Sequence, residues 1–161
     1  MVEKSSSATT FATPSDREVS MTRVFDAPHH VVFEAWTKPE HVSRWWGWRG
    51  STMAVCEIDL RVGGAYRFVT QEANGMMVAF RGVYHEIVAP ERLVYTEIFE
   101  DYPDSVSVTT TVFEESGGKT TMTSTTVYES QEVRDMVIQS GMEAGASESM
   151  YRLAELLSTL A

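Results

Sequence analysis

The residue with the most chemical potential in this chain is Glu97, in the segment Leu93 to Phe99 (LVYTEIF). Strand alternation puts Leu93, Tyr95, Glu97 and Phe99 on one face. An isolated carboxylate turned into an apolar interior either takes a raised pKa or finds an arginine or a tyrosine hydroxyl as partner. Such a group can act as a general acid or base, or orient a ligand. The bland reading, that Glu97 points to water or makes a cross-strand pair, stays open at this point. Tyr66 and Tyr84 are the hydroxyls within plausible reach, and Glu97 and Tyr84 are the two candidates for a catalytic role.

The same alternation groups Tyr66 with Phe68, and Val78 with Phe80 and Tyr84. It continues the face through Thr109, Thr111 and Phe113, then Met122 and Ser124. With Trp36, Trp45, Trp46, Met142, Ala146 and Met150 these residues make an aromatic and methionine-rich lining. An ordinary packed core explains such a lining, and so does a pocket of apolar walls with a few polar groups. Trp45-Trp46-Gly47-Trp48 is expected at its mouth, with Trp48 exposed beyond the glycine, and Trp45 and Trp46 equally suit anchoring the two short helices to the core. No other constellation carries chemistry. His29, His30, His41 and His85 match no metal spacing, and no metal or cofactor is expected. Cys56 has no basic helix start beside it and reads as an inert thiol. There is no GxSxG, P-loop or GxGxxG segment, and Gly63-Gly64 reads as a turn.

These side chains need a scaffold, and the chain supplies it in order. Met1 to about Asp16 is polar and reads as a disordered leader, and residues 17–161 read as one domain. Arg17 to Phe25 is a first strand. Asp26-Ala27-Pro28 then starts a short helix, and Pro39 starts a second that ends at Gly47. Strands follow at Thr52–Ile58, Ala65–Gln71, Met76–Val88, Leu93–Phe99, Val106–Phe113 and Lys119–Tyr128, joined by turns such as Ala73-Asn74-Gly75. Short connections imply an antiparallel meander of seven strands. From Ser130 the chain turns helical, and Ile138, Met142, Ala146, Met150, Leu153, Leu156, Leu157 and Leu160 form one apolar stripe. Val133 and Val137 lie off it, which predicts a bend or restart near Ser140-Gly141. Ser130 is the expected N-cap. One long helix after a run of strands must cover the sheet's apolar face, an α+β arrangement.

The chain has 161 residues, a net charge of −10 and a single cysteine. The charge argues against a nucleic-acid backbone or an anionic membrane as partner. The lone cysteine fits a reducing compartment, and with no membrane span or signal peptide in the sequence the expected location is cytoplasmic.

At DAPHHVVFEAWTKPEHVSRWWG (residues 26–47) the sequence resembles the family of homologues of the activator of heat-shock chaperone ATPase (AHSA-type), within the SRPBCC superfamily of START-like, helix-grip folds. The resemblance continues through DLRVGGAYRF, GVYHEIVAPERLVYT and GMEAGASESMYRLAELL. It implies a curved antiparallel sheet gripping the C-terminal helix, with a cavity between them. It does not imply one reaction. Three functions follow as expectations. The first is binding of an apolar or aromatic small molecule. The others are a polyketide cyclase/aromatase-like enzyme using cavity groups such as Glu97 and Tyr84, and a chaperone cofactor with a role in stress response. A homodimer through Trp48 and the short-helix face is a further expectation. The chain departs from the family's usual pattern at Gly145-Ala146, where a Gly-Trp pair is common, and at Glu97, where an aromatic is common. The first departure implies extra space beside the Met142–Ala146 half of the helix, and the second a carboxylate in the cavity.

Overall fold

The computed structural model describes residues 8–160. Eight strands form a single antiparallel sheet in the order β1-β2-β8-β7-β6-β5-β4-β3. They are β1 (Thr10–Ala12), β2 (Glu18–Phe25), β3 (Thr52–Ile58), β4 (Ala65–Gln71), β5 (Met77–Val88), β6 (Arg92–Phe99), β7 (Val106–Ser116) and β8 (Lys119–Val127). Between β2 and β3 stand two short helices, α1 (His29–Thr37) and α2 (Pro39–Trp45). The chain then closes with α3 (Gln131–Gln139) and α4 (Met142–Leu160). Neighbouring strands are sequence neighbours throughout, apart from the β2–β8 pair that joins the first half of the sheet to the last. This is the helix-grip α+β fold.

The eighth strand corrects the expected count of seven. Thr10–Ala12 lies inside the stretch expected to be a disordered leader, yet it pairs with β2 at Thr10↔Thr22 and Ala12↔Ser20. Its reason is local: β2 would otherwise be a bare edge, and the β-forming Thr10 and Phe11 cover it. The rest of that expectation, at residues 1–7, lies outside the described residues.

The terminal helix does restart. Gly141 takes φ 87°, a backbone angle that costs glycine little and other residues more, and it separates α3 from α4. Ser130 caps α3 by accepting from the Val133 N–H. The two helices differ in depth. α4 buries Ser149, Met150, Leu153, Leu156 and Leu157 against the sheet and α1, whereas α3 buries no residue.

The core runs along the inner face of the sheet, and the alternation in the sequence places it correctly. Phe25, Leu93, Phe113, Met122 and Leu153 are almost wholly buried, as are Val32 and Val42 from the short helices. Arg23 also lies on this face, with its guanidinium 5.6 Å from the Phe25 ring centroid.

Candidate functional site

A cavity of about 20 Å³ lies between the inner face of the sheet and the two tryptophans Trp36 and Trp46. Its other walls are Tyr66, Phe68, Tyr84, Leu93, Tyr95 and Glu97. That is room for one water-sized group, since such a group needs about 10–15 Å³. All eight wall residues are among those the sequence placed on the inner face or beside it.

Tryptophan positions follow from the short helices. Trp45 is buried and its indole donates to the Ala35 carbonyl at 2.9 Å, which locks α2 onto α1. Trp45 thus anchors the core and does not line the cavity. The rings continue as one wall. Trp36 packs on Trp45 at 5.0 Å between centroids, Trp46 on Phe68 at 4.9 Å, and Phe68 on Tyr66 at 5.0 Å. Tyr66 then meets Tyr84 at 5.6 Å and stands edge-on to Tyr95 at 5.8 Å. Tilted and edge-to-face pairs at these distances favour one another by about 0.5–1.5 kcal/mol each. These contacts join the rings into one packed wall.

Gly82 makes one of these placements possible. A Cβ there would sit 1.9 Å from the Thr96 carbonyl oxygen and 2.7 Å from the Tyr66 ring. In the space it leaves, the Tyr66 hydroxyl donates to the Thr96 carbonyl at 2.7 Å.

Glu97 points inward, so the solvent-facing alternative falls. It is partly accessible, as a residue lining a cavity is, yet burial raises its pKa to about 7. Burial is the whole cause: among the described residues no hydrogen bond or ion pair is made to its carboxyl oxygens. Several of the hydroxyls on this face are already engaged elsewhere. Tyr66 serves Thr96, Tyr95 lies 3.3 Å from the Thr111 hydroxyl, and Thr111 is bonded to Ser124 at 2.7 Å. Thr109 and Thr126 form a further pair at 2.8 Å. Tyr66, Tyr84, Tyr95 and Tyr128 all have pKa values raised by burial first, and for Tyr66, Tyr95 and Tyr128 the Glu97 charge adds to the rise. They are neutral phenols at any physiological pH.

A second unmet group stands in the same wall. The buried indole N–H of Trp36 has no hydrogen-bond partner among the described residues. A cavity that offers an unpaired carboxyl inside aromatic walls is equipped to orient a guest.

The helix side of the site differs from what the sequence implied. Met142, Ala146 and Met150 are not among the cavity walls. Met150 is core, and the space beside Gly145 is taken by Trp48, whose nearest ring carbon lies 3.5 Å from a Cβ built at Gly145. Trp48 is about half exposed, as expected, and lies over the helix at Gly145. Phe80 and Phe99 also stand outside the cavity, stacked on each other at 5.1 Å, with Phe80 against Trp46.

Two residues that the sequence did not single out hold the tryptophan loop. Arg152 of α4 donates to the carbonyls of Arg44, Trp46, Gly47 and Trp48 at 2.9–3.3 Å. The Ser149 hydroxyl accepts from the Gly47 N–H at 3.0 Å. Arg152 thus satisfies the carbonyls left open where α2 ends. In the sequence it looked like any charged residue on a solvated helix face.

A grip of antiparallel sheet on a C-terminal helix, with an inward cavity at the sheet's centre, defines the class of the molecule. Residues 26–158 match the model of the family described as activator of Hsp90 ATPase homolog 1-like protein, and the chain belongs to that family. Solved structures agree on the fold. A Rhodobacter sphaeroides protein is 24% identical with a TM-score of 0.87, over 95% of this chain and 99% of that one. A Mycobacterium smegmatis protein is 25% identical with a TM-score of 0.83, over 93% and 96%. An HSP90 activator from Plasmodium falciparum is 25% identical with a TM-score of 0.56, over 69% of this chain and 72% of that one. No curated protein matches the chain.

Proposed function

We propose that the chain encloses a small, largely aromatic molecule at the Glu97 cavity, in the cytoplasm. The observation that carries this reading is the Glu97 carboxyl, which has no partner in a cavity walled otherwise by aromatic rings and Leu93, with the partnerless indole of Trp36 in the same wall. A packed core that had only to be stable would not hold a carboxyl without a partner, because burying one costs several kcal/mol (order of magnitude). The space of about 20 Å³ admits only the polar head of a guest as it stands. The remainder of a guest requires the wall to open around it. Titration with indole and naphthalene, followed by calorimetry and tryptophan fluorescence, tests the reading. Saturable binding lost in Leu93→Phe, which fills the cavity, is the expected result. Absence of binding by both compounds overturns it.

A second reading is favoured by the family match and by the Plasmodium falciparum HSP90 activator: stimulation of a chaperone ATPase by direct contact. It needs the protein's surface and leaves the cavity as a by-product of the fold. Chaperone ATPase rates measured with and without the protein discriminate the two, and unchanged rates remove the second.

A further inference from the structure

Resting on the small-molecule reading above, we infer that the guest is an organic cation: an ammonium head seated against Glu97 and among the cavity's aromatic rings, on an apolar or aromatic body. Three observations converge on charge. First, Glu97 carries the one acidic group in the cavity wall, and among the described residues no lysine, arginine or histidine is paired with it. An ionised carboxylate there lacks a counter-charge that a cationic guest supplies. An anionic guest would be repelled.

Second, six of the eight walls are aromatic: Trp36, Trp46, Tyr66, Phe68, Tyr84 and Tyr95. Ring faces carry negative quadrupole density, so a box of them attracts a cation and is indifferent or hostile to an anion. Third, the space beside the carboxyl suits one water-sized group, which is also the size of an ammonium head. The net charge of −10 adds a long-range bias, raising the local concentration of cations around the protein.

The titratable groups that face Glu97 or share its cavity are Tyr66 on β4, Tyr84 on β5, Tyr95 on β6 and Tyr128 just beyond β8, all held neutral through the physiological range. Trp36 and Trp46 from the helical side do not titrate. No charged residue of α1, α2, α3 or α4 is among the causes of the Glu97 shift. The cation affinity therefore follows the ionisation of Glu97 alone.

Benzylammonium and benzyl alcohol, a matched cationic and neutral pair, provide the test, with side-chain NMR shifts reporting where they bind. The expected result is that benzylammonium binds about tenfold or more tightly than benzyl alcohol, and that Glu97→Gln abolishes the preference. In the unsubstituted protein its affinity should also rise about tenfold between pH 6 and pH 8, as Glu97 goes from mostly protonated to mostly ionised. That profile tests the inference even if Glu97→Gln fails to fold. Equal affinities for the two compounds, or a flat pH profile, overturn the cationic assignment and leave enclosure of a neutral guest standing. If neither compound shifts a cavity resonance, and indole and naphthalene also fail to bind, both readings fall.

Discussion

Replacing Glu97 by Gln should stabilise the protein, and by an amount that depends on pH in a defined direction. The carboxyl has a pKa of about 7 when folded, against 4.5 when exposed. Between those values the folded state holds a proton that the unfolded state has released, so stability falls as pH rises through this window. Below pH 4.5 both states are protonated and the penalty vanishes. Above pH 7 both are ionised and it is complete. The full penalty is about 3 kcal/mol, taking 1.36 kcal/mol for each pH unit between the two values. Roughly 2 to 3 kcal/mol of it develops between pH 5 and pH 8. Gln keeps the shape and carries no charge, so the variant lacks this loss.

Urea denaturation at half-unit pH intervals measures the effect. The stability difference between Glu97→Gln and the parent should be small at pH 5 and should grow to roughly 3 kcal/mol at pH 8. In a domain of this size that is a difference of about 6–12 °C in Tm at the higher pH. A difference that stays flat from pH 5 to pH 8 would refute the reasoning, since it would mean that the folded carboxylate is hydrated or paired. A growing difference of the opposite sign would refute it more strongly.

Four other substitutions probe how the site and its scaffold are built. Gly82→Ala drives a methyl group into the Thr96 carbonyl and the Tyr66 ring, and should cost about 3 kcal/mol with loss of the Tyr66–Thr96 hydrogen bond; the Tyr66 ring resonances and the denaturation midpoint report both. Arg152→Met removes four hydrogen bonds to the tryptophan loop, some of which water replaces, and should cost about 2 kcal/mol with a red shift in tryptophan emission. Thr111→Val leaves the Ser124 hydroxyl without its buried partner and should cost about 1–3 kcal/mol, measured by the same denaturation series. Ser130→Ala removes the cap of α3 at a cost of about 1 kcal/mol, seen as faster amide exchange in α3 with the sheet unchanged.

The parts of the site that were legible in the sequence are those set by a strict period. Alternation on β6 placed Leu93, Tyr95 and Glu97 on the inner face, and the same rule placed Thr109, Thr111 and Phe113 opposite. The helical restart was legible because Val133 and Val137 break the stripe just before a glycine. What was not legible depends on elements that meet only in space. Trp45 and Trp46 are adjacent in sequence, yet one is locked to α1 and the other lines the cavity, because consecutive residues at the end of a short helix point different ways. Trp48 folding onto Gly145 undid the space expected from the small residues of α4. Arg152 was hidden because a guanidinium that holds a loop has the same sequence signature as one in water. β1 was missed because three residues pairing with an edge strand leave almost no periodic signal.

The account stands most directly on where a small aromatic guest sits. Intermolecular NOEs should connect the protons of bound benzylammonium to the rings of Trp36, Tyr66 and Tyr95, which surround Glu97. NOEs confined to the exposed rings of Trp48 and Tyr102, or none at saturating ligand, would contradict it.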